Sequence, residues 1–133
     1  MFSALDISTS GLVAQRTQMD AIAGNIANAK TTRRADGQPG PYLRRVALLA
    51  PSDGRGGPGV HVESVVEDTQ TSPVLVKDPG HPDADKDGYV AYPNIDPSTE
   101  MINAMVAVRA YEANVTAIEA AKSMVASTLR ILA

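Results

Sequence analysis

Residues 96–133 read DPSTEMINAMVAVRAYEANVTAIEAAKSMVASTLRILA. Asp96 is a favourable N-cap residue, because its carboxylate accepts hydrogen bonds from the free backbone N–H groups of a first helical turn. Pro97 suits the first helical position, where its missing N–H donor has no cost, and no further Gly or Pro follows it. The stretch predicts one uninterrupted helix of roughly 35 residues, about 52 Å long at the usual rise per residue.

Apolar residues recur in this helix at seven-residue spacing, in two sets. The Met101 set consists of Met101, Val108, Val115, Lys122 and Leu129. The Ala104 set, three residues further on, consists of Ala104, Tyr111, Ile118, Val125 and Leu132. Lys122 is the only charged residue among the ten positions of the two sets. The two sets therefore predict the apolar seam of a coiled coil.

Small residues occupy the side of the helix opposite this seam, where charges are usual. This Val106 set consists of Val106, Ala113, Ala120 and Ser127. Such short side chains let another backbone approach closely. The pattern therefore predicts that more than one face of the C-terminal helix makes contacts.

A second amphipathic helix is predicted near the N-terminus, between about residues 3 and 28. Its apolar residues at seven-residue spacing are Leu5, Leu12, Met19 and Ile26. Gly11 and Gly24 each lower its helix propensity by about 1 kcal/mol relative to Ala. This helix is expected to be marginal alone and to need a partner.

The middle of the chain has a different composition. All nine prolines lie in residues 39–97 and eight of the ten glycines in residues 37–88, so a long helix is excluded there. Short β-branched or aromatic runs between turn residues predict strands at 42–49, 60–66, 74–77 and 89–92, and DGRGGPG at 53–59 predicts a loop.

The predicted fold is therefore mostly α, in three parts. The N-terminal helix (residues 1–31) and the C-terminal helix (residues 96–133) form a coiled-coil region, and residues 32–95 form a small proline- and glycine-rich β insert. Only five aromatic residues are present, which limits the hydrophobic core that the single chain can form.

Charge and composition exclude several classes of function. The net charge is −3, and the 12 basic residues are scattered, so neither a nucleic-acid site nor a membrane surface site is predicted. No apolar run has membrane-spanning length, and no cleavable signal peptide is predicted, because charged residues interrupt the first 30 positions. The absence of cysteine excludes a thiolate nucleophile and a cysteine zinc site.

Four strings carry a resemblance to a known family. They are AGNIANAKTT (23–32), GPYLRR (40–45), PGHPDADKDGYVAYPNID (79–96) and MVAVRAYEANVTAIEAAKSMVASTLRIL (105–132). With the helix, insert and helix layout, they resemble the bacterial flagellar axial proteins, in particular the proximal rod proteins of the basal body. Gly24 departs from the pattern, in which Asn is usual.

The resemblance implies a structural, non-enzymatic subunit without cofactors. It implies export through the flagellar type III apparatus without a cleavable signal, and helical polymerisation with copies of itself and other rod proteins into the periplasmic shaft that transmits motor torque. A small hydrophobic core is expected of a subunit that buries further apolar surface against its neighbours. A heterologous contact that repeats along an axis builds a helical rod. The predicted subunit-packing residues are Leu5, Leu12, Met19, Ile26, Met101, Val108, Tyr111, Val115, Ile118, Val125 and Leu129.

Two alternatives from other classes remain. Asp83, Asp85, Asp87 and Gly88 match the opening of an EF-hand calcium loop, but Asn94 stands where a bidentate Glu is required. We therefore predict no metal site and keep a calcium-binding module as an alternative. The other alternative is a helical adaptor or chaperone that works as a closed dimer. No nucleophile, base and orienting group can be placed together, so no catalytic residue is predicted.

Overall fold

The chain folds into two long terminal helices with four short strands between them. The computed structural model describes residues 2–52 and 54–132, and the side chains from residue 3 onward. The elements are α1 (Phe2–Ala27), β1 (Arg45–Pro51), β2 (Val60–Glu67), β3 (Val74–Lys77), β4 (Tyr89–Tyr92) and α2 (Pro97–Leu132). The predicted layout is confirmed. Met1, Asp53 and Ala133, which belong to predicted segments, lie outside the described residues.

The insert holds two separate antiparallel sheets of two strands each. β1 pairs with β2, with Val46 opposite Val66 and an irregularity between Leu48 and Leu49, and β3 pairs with β4. β1 begins later than predicted, at Arg45 instead of residue 42. The backbone N–H of Tyr42 donates to the carbonyl of Thr31 at 3.0 Å, which ties this residue to the segment that follows α1 rather than to β2.

Helix α1 is the central element of the fold. Among the described elements, α2 packs against α1 alone, and β1 and β2 pack on α1 as well, whereas the β3–β4 hairpin packs against neither helix. Among the side chains that the structure describes, few apolar ones are buried: Ala14, Ile22, Val90, Ile95, Ala107 and Ala121. Four of these six lie in the helices, and three of those four are alanine, so the two helices approach closely.

The predicted N-cap of α2 is confirmed. One carboxylate oxygen of Asp96 accepts from the N–H of Ser98 at 3.1 Å, and the other accepts from the N–H of Thr99 at 3.2 Å and from its hydroxyl at 2.6 Å. The Thr99 hydroxyl and then the two backbone N–H groups lower the pKa of Asp96 below its ordinary 3.8. The ionised form is therefore the one that caps the helix.

This cap makes part of the stability pH-dependent. Because the folded-state pKa of Asp96 is depressed, its contribution is complete above the unfolded value of 3.8 and is lost as pH falls through the folded value. We expect Asp96→Asn, which keeps an acceptor but does not titrate, to be less stable than the parent at pH 7 and to lose that deficit below pH 3.8. Urea unfolding followed by circular dichroism, at pH 7 and at low pH, measures the difference in stability between the two proteins. A deficit that stays constant with pH would contradict the prediction.

The two glycines of α1 differ in their surroundings. A Cβ built on Gly11 would lie 2.8 Å from Nδ2 of Asn114 in α2, whereas one on Gly24 would lie 3.5 Å from the Tyr42 hydroxyl, an ordinary contact. We expect Gly24→Ala to raise the free energy of unfolding by about 1 kcal/mol through helix propensity. Gly11→Ala should raise the free energy of unfolding by less, because the Asn114 side chain must move to make room for the new Cβ. Equal gains in urea unfolding would mean that the helices are not in tight contact at Gly11.

Candidate assembly surface

The helix pair is antiparallel, and two contacts define its register. Gly11 of α1 faces Asn114 of α2, and Asn25 of α1 is hydrogen-bonded to Glu100 of α2. Moving forward along α1 therefore corresponds to moving backward along α2. The residues of α2 that face α1 include a Glu100 set at seven-residue spacing, which consists of Glu100, Ala107, Asn114 and Ala121.

The two predicted sets of α2 lie in different environments. In the Ala104 set, Ala104, Tyr111, Ile118 and Val125 are half-buried, but Leu132 is 79 % exposed. In the Met101 set Val115 is half-buried, whereas the others are exposed: Met101, Val108, Lys122 and Leu129. Within the chain, the seam thus consists of the predicted Ala104 set and the Glu100 set, which lies one position before the predicted Met101 set. The alanines of the Glu100 set allow a closer approach than Met or Val would.

The predicted packing residues of α1 are all half-buried: Leu5, Leu12, Met19 and Ile26. The fully buried positions of this helix are Gly11, Ala14, Ile22 and Asn25. The predicted residues thus flank the closest contact with α2. In the single chain they retain partly accessible apolar surface.

The outward side of α2 is strongly apolar. Large side chains in its first half are more than a third exposed: Met101, Ile102, Met105, Val106 and Val108. We call these five residues the outer face of α2. All members of the Val106 set are also exposed. Exposed apolar surface of this kind is typical of an interaction site.

The end of α2 is exposed too. α2 has 36 residues and α1 has 26, and the antiparallel register places the last turns of α2 beyond the beginning of α1. Ile131 is 84 % and Leu132 79 % exposed. This end of the helix offers further apolar surface to a neighbour.

A buried polar cluster joins both helices to the insert. Asn25 is 0 % and Glu100 1 % exposed. The Asn25 amide donates to Glu100 Oε2 at 2.9 Å and to the carbonyl of Arg45 at 2.8 Å. Its Oδ1 accepts from the N–H of Arg45 at 2.7 Å and from the Tyr42 hydroxyl at 3.4 Å. Arg44 Nε donates to Glu100 Oε1 at 2.7 Å, and Nη2 forms an ion pair with the same oxygen at 2.7 Å.

This cluster satisfies all the hydrogen-bonding capacity of the Asn25 amide, which has two donors and two acceptor lone pairs. Glu100 is neutralised by Arg44, as a buried carboxylate requires. Partial burial raises the pKa of Tyr42, so its hydroxyl stays protonated as a donor. The sequence alone assigned no role to Asn25, Glu100 or Arg44.

The carboxylates of the acidic loop before β4 accept hydrogen bonds from other groups of the chain. Asp83 accepts from the Thr32 hydroxyl at 2.7 Å and from Arg33 Nε, and these two bonds, Thr32 first, lower its pKa. Asp85 accepts from the backbone N–H groups of Asp87 and Tyr89 at 2.9 and 2.8 Å. Their carboxylates therefore serve different partners. In residues 2–52 and 54–132, no three acidic or histidine side chains are grouped as a metal site.

Both histidines are hydrogen-bonded to backbone atoms of the insert. His61 Nδ1 is 2.9 Å from the carbonyl of Ser52, and His81 Nδ1 accepts from the N–H of Asp83 at 3.0 Å. Both rings thus have roles in loops. Within the described part of the chain, neither long helix has an apolar stretch sufficient to cross a membrane.

Known proteins resemble this chain over nearly its full length. The family model described as flagella basal body rod protein matches residues 5–33, and the model described as flagellar basal body rod FlgEFG protein C-terminal matches residues 86–131. The flagellar basal-body rod protein FlgC of Borreliella burgdorferi is 41 % identical, over 99 % of this chain and 97 % of the relative. The FlgC proteins of Bacillus subtilis and Salmonella typhimurium are each 39 % identical, over 98 % of this chain and 97 % of the relative.

Proposed function

Because this chain belongs to the FlgC family of flagellar basal-body rod proteins and is a structural subunit of that rod, we propose that it polymerises helically. In this proposal, copies of the chain and other rod proteins together build the shaft that transmits motor torque. The family places the subunit in the basal body and implies assembly with other rod proteins. Helical assembly is supported by the exposed apolar side chains of the outer face of α2.

The outer face supports an open assembly because it differs from the surface that α1 covers. α1 packs on the Glu100 set, and the outer face stays available to a neighbour with a different surface. If the neighbour covers the outer face with a different part of its own surface, the contact is heterologous, and its repetition generates a helix when the rotation does not close. We propose that the predicted packing residues, together with the outer face, form the coiled-coil core of the rod with neighbouring helices.

The proposal also gives the three parts of the chain separate roles. Residues 1–31 and 96–133 supply the helical core, and residues 32–95 make lateral contacts. Support for the lateral role comes from β3, in which Val74, Leu75 and Val76 are 44, 64 and 44 % exposed. A two-stranded sheet with exposed apolar residues is suited to adding a strand or packing against a neighbour.

We also propose that the subunit is exported through the flagellar type III apparatus and that the rod it joins is periplasmic. Both points rest on the family membership. The two alternatives are not favoured, because the relatives are rod proteins and the carboxylates of Asp83 and Asp85 serve separate hydrogen-bond partners. The relatives are structural proteins, which agrees with a subunit without catalysis.

Complementation tests this function. We expect a strain lacking the gene for this chain to be non-motile and to yield basal bodies without a complete rod, and a plasmid copy to restore both. Purified chain mixed with other rod proteins should give a broad, concentration-dependent range of assemblies in sedimentation velocity. A single closed dimer at all concentrations, with motility retained in the deletion strain, would contradict the proposal.

A further inference from the structure

We infer that the buried contact between Asn25 and Glu100 sets the register in which α1 and α2 pack. These two side chains are the largest buried polar groups at the described helix interface, and they meet across it at 2.9 Å. A polar residue in an otherwise apolar helix interface can specify register at some cost in stability.

The apolar contacts that flank the helix interface distinguish poorly between registers that differ by seven residues. The residues of α1 that flank the interface recur every seven positions, as do the Ala104 set and the Glu100 set of α2. A shift of α1 by one heptad therefore brings Leu5, Leu12, Met19 and Ile26 beside equivalent positions of α2. The buried Ile22 is an exception, because in one shifted register it would move to the place of Gln15. The closest contact survives as well, because Gly11 moves from Asn114 to either Ala121 or Ala107.

The polar cluster distinguishes these registers clearly. In one shifted register, Asn25 moves opposite Ala107 and Glu100 loses its amide partner. In the other, Glu100 moves opposite Gln18, and Arg44, which the hydrogen bonds between Asn25 and Arg45 hold beside α1, is displaced from it. Each shift leaves a buried carboxylate without its native partners, which is strongly unfavourable. The native register is the one in which every buried polar group is paired.

The register matters because it sets how far α2 extends beyond α1. One heptad corresponds to about 10 Å along the helix axis. A shifted register would move the outer face of α2 by that distance relative to the insert. The two would then no longer match neighbours in a regular assembly. This inference concerns the fold of the single chain, so it does not depend on the proposed helical assembly.

Spin-label distances test the inference, and the cysteine-free chain allows site-specific labelling. Nitroxides on cysteines at Asp20 and Glu119, both exposed, report the axial offset of the helices. We expect one distance in the parent chain. In Asn25→Leu/Glu100→Met, which replaces the polar pair by apolar residues, we expect a second population displaced by several ångströms, with helix content by circular dichroism unchanged.

The matched control is Arg109→Leu/Glu112→Met, which removes an ion pair on the solvent side of α2 whose side chains are 81 and 55 % exposed. It should keep the single parental distance. Glu100→Gln, which retains hydrogen-bonding capacity in place, should also keep it. A single parental distance in Asn25→Leu/Glu100→Met would overturn the inference. Loss of helix content in that variant would overturn it too, because the apolar sets would then not hold the helices together without the polar pair.

Discussion

Glu100→Ala is expected to lower the free energy of unfolding by about 3 kcal/mol. Glu100 is 1 % exposed and receives the Arg44 guanidinium and one N–H of Asn25. Removing one partner of a buried ion pair costs about 3–5 kcal/mol, because the other charge is left uncompensated. The lower end of this range applies because the Arg44 side chain is 32 % exposed and can turn toward water. Urea unfolding monitored by circular dichroism gives the change.

Glu112→Ala is the matched control for this prediction. Glu112 lies on the same helix and is also paired with an arginine, but its side chain is 55 % exposed. Surface substitutions of this kind usually change stability by less than about 0.5 kcal/mol. If the two alanine variants were equally stable, the buried cluster would contribute no more than a surface ion pair, and its role in joining the helices to the insert would have to be abandoned.

The parts of the fold that local chemistry determines were predictable from the sequence. The start of α2 follows from Asp96 and Pro97, and its length follows from the absence of later Gly and Pro. Strands β3 and β4 match their predicted bounds, because turn residues delimit short apolar runs on both sides. The start of β1 was predicted less well, since Tyr42 bonds a residue distant from any strand.

The internal face of α2 was not predictable in the same way. Heptad spacing shows which residues share a side of the helix, but Met101 and Glu100 are neighbours, and the spacing does not show which of them faces α1. An acidic residue on a long helix is normally solvated. The burial of Glu100 depends on Asn25 and Arg44, which are 75 and 56 residues away in the chain, and no local pattern connects them.

Val106→Asp is expected to abolish rod assembly and motility while leaving the chain folded. Val106 is 64 % exposed and belongs to the outer face of α2, so a carboxylate there stays hydrated in the free chain. In a rod where neighbours cover this face, the same carboxylate would be desolvated without a partner, which is costly. Motility in soft agar and the yield of rods in sedimented basal bodies measure the outcome. Circular dichroism of the purified variant measures its folding.

Two further variants separate assembly from folding. Val106→Thr keeps the β-branched shape without the charge and should remain motile. Ile118→Asp places a charge at a half-buried position of the Ala104 set, so it should lower the stability of the single chain as well as assembly and be the more severe change. A fully motile Val106→Asp strain would mean that solvent still reaches this side of α2 in the rod. The helix would then have one covered face, the Ala104 and Glu100 sets beside α1, and neighbouring subunits would have to join through other surfaces.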